Sequence, residues 1–167
     1  MIKCIIFDRD GTLGYLTDNR FPQSFVPYGD IKGVFGEIKK RNILVCIATN
    51  QASIARGTGR GYNFEKEFLS YGADHWEICP HCDADACSCR KPKSGMLVRI
   101  MEIFSLAPDE CFMVGDRLSD VECAKNVGIR PFLIENLCDA SETEKVACLY
   151  SDVTVIGHFG EILKYID

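Results

Sequence analysis

Along this chain, short continuous apolar runs alternate with stretches in which apolar residues recur every three or four positions. Residues 4–7, 43–48, 76–78, 111–114, 132–134 and 153–156 are runs of strand length, the pattern of strands covered on both faces. Between them, Ile31, Val34, Phe35 and Ile38 recur at helical spacing, with Lys39, Lys40 and Arg41 in the last turn and Asn42 as a stop. Residues 64–71, 96–104, 119–127, 141–149 and 159–166 read as further helices, with Ser119 as a cap and Gly128 as a stop for the fourth of these six. Residues 14–29 are punctuated by Gly, Pro and Asn and predict a loop or small hairpin; residues 52–61 predict a loop carrying Arg56 and Arg60. Strands alternating with helices define an α/β fold with a mostly parallel sheet and right-handed crossovers. Thr49 is therefore expected at the same sheet edge as Asp8.

Composition narrows this picture without redirecting it. At 167 residues, with 47% hydrophobic and 26% charged positions, the chain suits one domain, 1–167, with a substantial core. A net charge of −5 argues against a broad nucleic-acid-binding or membrane-binding face, and no apolar run reaches membrane-spanning length. No basic leader followed by an apolar segment opens the sequence, so a cytoplasmic protein is expected. Ten cysteines are present, and Cys79, Cys82, Cys87 and Cys89 crowd together. In a reducing compartment such a cluster reads as metal ligands rather than disulfides.

The chemistry sits where the apolar runs end. The first stops at Asp8-Arg9-Asp10-Gly11-Thr12, the second at Thr49-Asn50-Gln51, and that of residues 111–114 at Gly115-Asp116-Arg117. Residues two apart in extended chain share a face, so Asp8 and Asp10 are expected to emerge together. Lys91 lies in the segment between the last two strand ends. Carboxylates, a hydroxyl and an ammonium converging at a sheet edge suit a Mg²⁺-dependent phosphoryl site: hard Mg²⁺ takes carboxylate oxygens, and the hydroxyl and lysine hold phosphate oxygens.

Taken together, Asp8-Arg9-Asp10-Gly11-Thr12, Thr49-Asn50-Gln51, Lys91 and Gly115-Asp116-Arg117-x-x-Asp120 resemble the four motifs of the haloacid-dehalogenase-like (HAD) hydrolases, over nearly the whole chain. The resemblance implies a three-layer α/β/α Rossmann-like fold. It implies Asp8 as the nucleophile forming an aspartyl-phosphate and Asp10 as the acid/base. It also implies Mg²⁺ held by Asp8, the backbone carbonyl of Asp10 and Asp116, with Thr49 and Lys91 binding phosphate and Asp120 supporting its loop. Asn50 and Arg117 are further candidates for phosphate contact.

Spacing adds an independent constraint. Thirty-eight residues separate Asp10 from Thr49 and 41 separate Thr49 from Lys91, which leaves no room for a cap domain once the crossovers are subtracted. The site is expected to be roofed by residues 14–29, residues 52–61 and the cysteine segment. Within 79–89, Cys79, His81, Cys87 and Cys89 make a closed tetrahedral Zn²⁺ set; Cys82 in place of His81 is an alternative, and a redox pair of Cys79 and Cys82 is another. A structural zinc clip is the preferred reading.

The block from Cys79 to Pro92 resembles the zinc loop of the subfamily IIIA group that contains heptose-bisphosphate and histidinol-phosphate phosphatases, in which it shapes the substrate pocket and places Arg90 and Lys91 beside phosphate. The expected activity is hydrolysis of a small phosphomonoester, a sugar bisphosphate of heptose type, with Arg56 and Arg90 on its second anion. Histidinol phosphate is the nearest alternative, a phosphorylated DNA 3′ end a more distant one, and a silent phosphate-sensing interaction domain the non-enzymatic one. A monomer is expected, with no nucleic-acid or membrane partner.

Overall fold

The computed structural model describes residues 1–135 and 140–166. Its central sheet holds, among the described residues, six strands: β1 (Cys4–Phe7), β4 (Leu44–Asn50), β5 (His75–Cys79), β6 (Cys111–Gly115), β7 (Arg130–Ile134) and β8 (Thr154–Ile156). They lie in the order β5-β4-β1-β6-β7-β8, and every neighbouring pair is parallel. A small antiparallel hairpin of β2 (Gly14–Leu16) and β3 (Phe25–Pro27) follows β1.

The apolar runs are continuous because each strand is covered twice. Ile5, Phe7, Val45, Ile47, Phe112 and Val114 face a core shared with α1 (Ile31–Lys40) and α2 (Phe64–Tyr71). Cys4, Ile6, Cys46, Ala48, Cys111 and Met113 face another core, shared with α3 (Gly95–Phe104) and α4 (Leu118–Lys125). Strict alternation between two apolar faces is what a three-layer α/β/α arrangement requires. A further helix, α5 (Ser141–Leu149), packs on α4.

Two expectations shift in detail. The helix after Asp116 starts at Leu118, and Ser119 lies inside it; the Arg117 backbone N–H is instead accepted by the Asp120 carboxylate at 3.1 Å, which satisfies one of the donors a helix start leaves open. The closing segment, Phe159–Tyr165, is a 3₁₀ helix, buried through Phe159 and Ile162.

The topology positions the site. From β1 the chain crosses to β4 and β5 on one side, then returns to β6 on the other, so the crevice between the ends of β1 and β6 is the switch point where open α/β sheets take ligands. No cap domain intervenes: β1 leads to α1 through the hairpin, and β4 leads to α2 through the turns of residues 51–62. No described helix is long and apolar enough to cross a membrane.

Candidate active site and metal centre

At the carboxyl ends of β1, β4 and β6, the structure gathers Asp8, Asp116, Lys91, Thr49 and Asp120, all nearly enclosed. The Lys91 ammonium donates to Asp8 Oδ1 at 2.8 Å and to the Ala48 carbonyl at 2.8 Å, and pairs with Asp120 Oδ1 at 2.6 Å. Burial by itself would favour neutral Lys91; the charges of Asp120 and Asp8 overcome it and hold the ammonium well above the ordinary lysine range. Lys91 is aimed by its own backbone: the Asn50 side chain accepts from the Lys91 N–H at 3.0 Å and donates to the Lys91 carbonyl at 3.1 Å. Asn50, a candidate for phosphate contact, lines the cleft and also places the lysine.

Carboxylate oxygens of Asp8, Asp116 and Asp120 lie within 4.8 Å of one another. Lys91 compensates Asp8 and Asp120, whereas Asp116 forms no ion pair among the described residues. Burial, then the charges of Asp120 and Asp8, push its carboxyl up to about 8. Such a group calls for a cation, and an all-oxygen donor set suits Mg²⁺. Gly11 makes the geometry possible, because it has φ +85° and a Cβ there would fall 2.0 Å from Asp116 Oδ2. The Thr49 hydroxyl accepts from the Gln51 amide at 3.0 Å and keeps its own proton without an acceptor among the described residues.

Asp10 departs from the expected pairing. The chain leaves strand geometry after Phe7, so two-residue alternation no longer governs direction, and the Asp10 side chain lies outside the carboxylate group. Its Oδ1 accepts from Arg9 at 2.6 Å and its Oδ2 from Gln51 at 2.8 Å. Burial raises its pKa, with Asp8 adding to the rise, while Arg9 and the Gln51 hydrogen bond pull it down. As a Mg²⁺ donor Asp10 therefore has its backbone carbonyl to offer, not this carboxylate. Asp120 holds two places at once, supporting the Arg117 N–H as expected and joining the carboxylate group through its other oxygen.

Over these residues opens a cleft of about 600 Å³. Its walls come from all three expected roof segments: Leu16, Asn19 and Arg20 from the hairpin, Arg56 from the 52–61 loop, Asp83 and Arg90 from the cysteine segment, together with Arg117 and Ser119. The hairpin tip and the 52–61 loop are joined by the Thr58 hydroxyl, which donates to the Arg20 carbonyl at 2.6 Å. Arg90 is tied to Asp83 and the His81 carbonyl, and Arg20 to Asp18, while the Arg56 and Arg117 guanidiniums form no hydrogen bond or ion pair among the described residues.

The cysteine segment is folded around four converging donors. Cys79 Sγ lies 3.6 Å from His81 Nδ1 and 3.7 Å from Cys87 Sγ; Cys89 Sγ lies 3.3 Å from His81 Nδ1 and 3.5 Å from Cys87 Sγ. A tetrahedral zinc site with Zn–S bonds of about 2.3 Å has sulfur–sulfur edges of about 3.8 Å, so these residues fit the ion. Cys82 stands outside the group, its N–H bound to Asp85, and the set with His81 is the one the geometry supports. Burial raises the Cys79 thiol to about 12; at Cys87 the Arg90 N–H and the neighbouring thiols outweigh burial and lower it to about 6.

Sequence reasoning assigned no role to Arg9, Gln51, Glu67 or Tyr62, yet Arg9 and Gln51 bind the Asp10 carboxylate, and Glu67 and Tyr62 bind Arg9 in turn. One signal was legible: Glu67 falls on the apolar stripe of α2, between Phe64, Phe68 and Tyr71, where a carboxylate needs a buried cation.

A parallel sheet with a switch-point crevice, an acidic floor and a buried lysine is an arrangement suited to phosphoryl chemistry. A HAD-hydrolase-like family model matches residues 88–148. The chain is 32% identical over 145 residues to a D-glycero-beta-D-manno-heptose-1,7-bisphosphate 7-phosphatase of Pseudomonas putida, covering 80% of this chain and 83% of that protein. It is also 32% identical over 146 residues to a D-glycero-alpha-D-manno-heptose-1,7-bisphosphate 7-phosphatase of Campylobacter jejuni, covering 80% of this chain and 83% of that protein. The crystal structure of D,D-heptose 1,7-bisphosphate phosphatase from B. bronchiseptica, complexed with magnesium and phosphate, superposes with a TM-score of 0.83 at 23% identity, over 99% of this chain and 98% of that one. The chain belongs to the HAD hydrolases, in the family of the heptose-bisphosphate phosphatases. It is a HAD-type phosphatase.

Proposed function

We propose that this chain is one HAD-like domain that removes a phosphate from a heptose 1,7-bisphosphate through an aspartyl-phosphate intermediate. The carrying observation is the Lys91–Asp8 contact on the floor of a cleft walled by Arg20, Arg56, Arg90 and Arg117. A floor for one phosphoryl group and arginines around the mouth suit a ligand with two anions, and the relatives are named for such a substrate.

Asp8 is the nucleophile: its carboxylate oxygen forms a bond to phosphorus as the sugar–oxygen bond to phosphorus breaks. Asp10, protonated, gives its proton to the departing sugar oxygen. In the second half, Asp10 takes a proton from water as that water's oxygen attacks the acyl phosphate, which releases inorganic phosphate and restores Asp8. Lys91 and the Thr49 hydroxyl hold the phosphoryl oxygens. Asp8, Asp116 and the Asp10 carbonyl would hold Mg²⁺, which would supply the positive charge that offsets these carboxylates against an anionic substrate. Arg56, Arg90 and Arg117 meet the second phosphate. Cys79, His81, Cys87 and Cys89 would hold Zn²⁺, which would clip the loop that carries Arg90 and leads into Lys91. A small sugar phosphate is the partner of this site; a monomer in the cytoplasm completes the proposal.

The test is Mg²⁺-dependent phosphate release from heptose 1,7-bisphosphate, histidinol phosphate and a 3′-phosphorylated oligonucleotide, with Asp8→Asn as the control. One phosphate released per heptose bisphosphate, lost in Asp8→Asn, is expected. Faster release from either other substrate would reassign the substrate, and near-normal turnover by Asp8→Asn would sink the mechanism.

A further inference from the structure

Arg9 is the largest fully enclosed side chain among the described residues, and it lies between two carboxylates. Its Nε donates to Glu67 Oε1 at 2.8 Å and one terminal nitrogen to Glu67 Oε2 at 2.9 Å, so Glu67 grips the guanidinium with both oxygens. That nitrogen also reaches the Pro22 carbonyl at 3.0 Å and the Tyr62 hydroxyl at 3.2 Å. The other terminal nitrogen donates to Asp10 Oδ1 at 2.6 Å. The Phe25 ring covers the guanidinium plane, with its centroid 3.8 Å away.

Glu67 is anchored in turn. The Tyr62 hydroxyl donates to its Oε2 at 2.5 Å and the Tyr71 hydroxyl to its Oε1 at 3.1 Å. With Gln51 on Oδ2, both oxygens of Asp10 carry an N–H donor, while Asp10 still lines the cleft. A carboxylate oxygen has two lone pairs. One per oxygen is spent on orientation, and the other remains for a proton facing the substrate.

A buried ion pair contributes little net stability over well-packed apolar residues, because desolvation offsets the attraction. What this network provides is direction, since proton transfer depends on donor and acceptor being held within hydrogen-bond reach. We propose that Glu67 is a positioning residue for the reaction: acting through Arg9, it fixes the Asp10 carboxylate toward the leaving-group oxygen. This deepens, and rests on, the reading of Asp10 as the acid/base.

The experiment compares kcat/KM for an alkyl phosphate, the heptose bisphosphate, with that for p-nitrophenyl phosphate, whose leaving group needs no proton. Glu67→Gln, Asp10→Asn and the double variant are measured alongside thermal melts. For Glu67→Gln a loss of about tenfold on the alkyl substrate and less than about threefold on the aryl one is expected, with no added loss in the Asp10→Asn background. Equal losses on both substrates, or none on the alkyl one, overturn the proposal. If Asp10→Asn itself shows no leaving-group dependence, the acid/base reading fails; if it does while Glu67→Gln does not, only the positioning role fails. Should Glu67→Gln not fold, Tyr62→Phe removes a single hydroxyl from the network, and the same selective loss, of about threefold, supports the inference while its absence overturns it.

Discussion

The Lys91 ammonium stands 2.8 Å from the Asp8 carboxylate, although 83 positions separate the two residues in the chain. The same nitrogen is 2.6 Å from Asp120, so one buried cation serves two buried anions. Lys91→Met should destabilise the protein by about 3–5 kcal/mol in metal-free buffer, because it leaves both carboxylates uncompensated. Urea unfolding measures this, and turnover should vanish with it. A stability change below about 1 kcal/mol would mean that the pairing carries no weight.

The Asp116 carboxyl, pushed up to about 8, must lose its proton before it can hold a cation. Its folded-state pKa lies above the unfolded value, so the metal-free protein loses this group's contribution as pH rises through the interval between them. Mg²⁺ binding, which competes with that proton, strengthens over the same interval. Between pH 6 and pH 8, affinity should rise by about tenfold per pH unit and level off above that, as followed by calorimetry with proton-release counting. A flat affinity profile would show that Asp116 does not bind the ion.

Zinc analysis of protein purified without added metal should find about one ion per chain, and Cys87→Ser or Cys89→Ser should lose it together with thermal stability. Cys82→Ala should keep it, since Cys82 lies outside the donor group. Zinc loss in Cys82→Ala would overturn the assignment of His81.

Gly11→Ala should impair Mg²⁺-dependent turnover at least tenfold, an order-of-magnitude expectation for displacing a metal carboxylate. The added methyl would overlap Asp116 Oδ2, and φ +85° disfavours a side chain. Titration of Mg²⁺ against activity should show a raised metal requirement; an unchanged one would mean that Asp116 adapts without cost.

Much of the fold was legible because it rests on local regularities. The helix of residues 64–71 appears with the expected ends: Asn63 caps its first turn and Gly72 adopts φ 92° after its last. The strands ending at Phe7, Asn50 and Gly115 were marked by apolar runs that stop at polar residues. Element ends were less clear where a side chain decided them, as with Asp120 capping the helix that Ser119 was expected to begin.

By itself, the sequence determined the element order, the sheet edge that collects Asp8, Thr49 and Asp116, and the donor types of both candidate metal centres. Periodicity, parallel crossover and close spacing act over a few residues or one crossover. Only the tertiary structure decided where side chains point once the backbone leaves regular geometry. It turned the Asp10 carboxylate onto Arg9 and Gln51, drew Asp120 beside Asp8 and Asp116, placed His81 rather than Cys82 beside the other three donors, and paired Arg9 with Glu67 across 58 positions. Those choices follow from burial: an enclosed charge must find its counter-charge in space, wherever in the chain that partner lies.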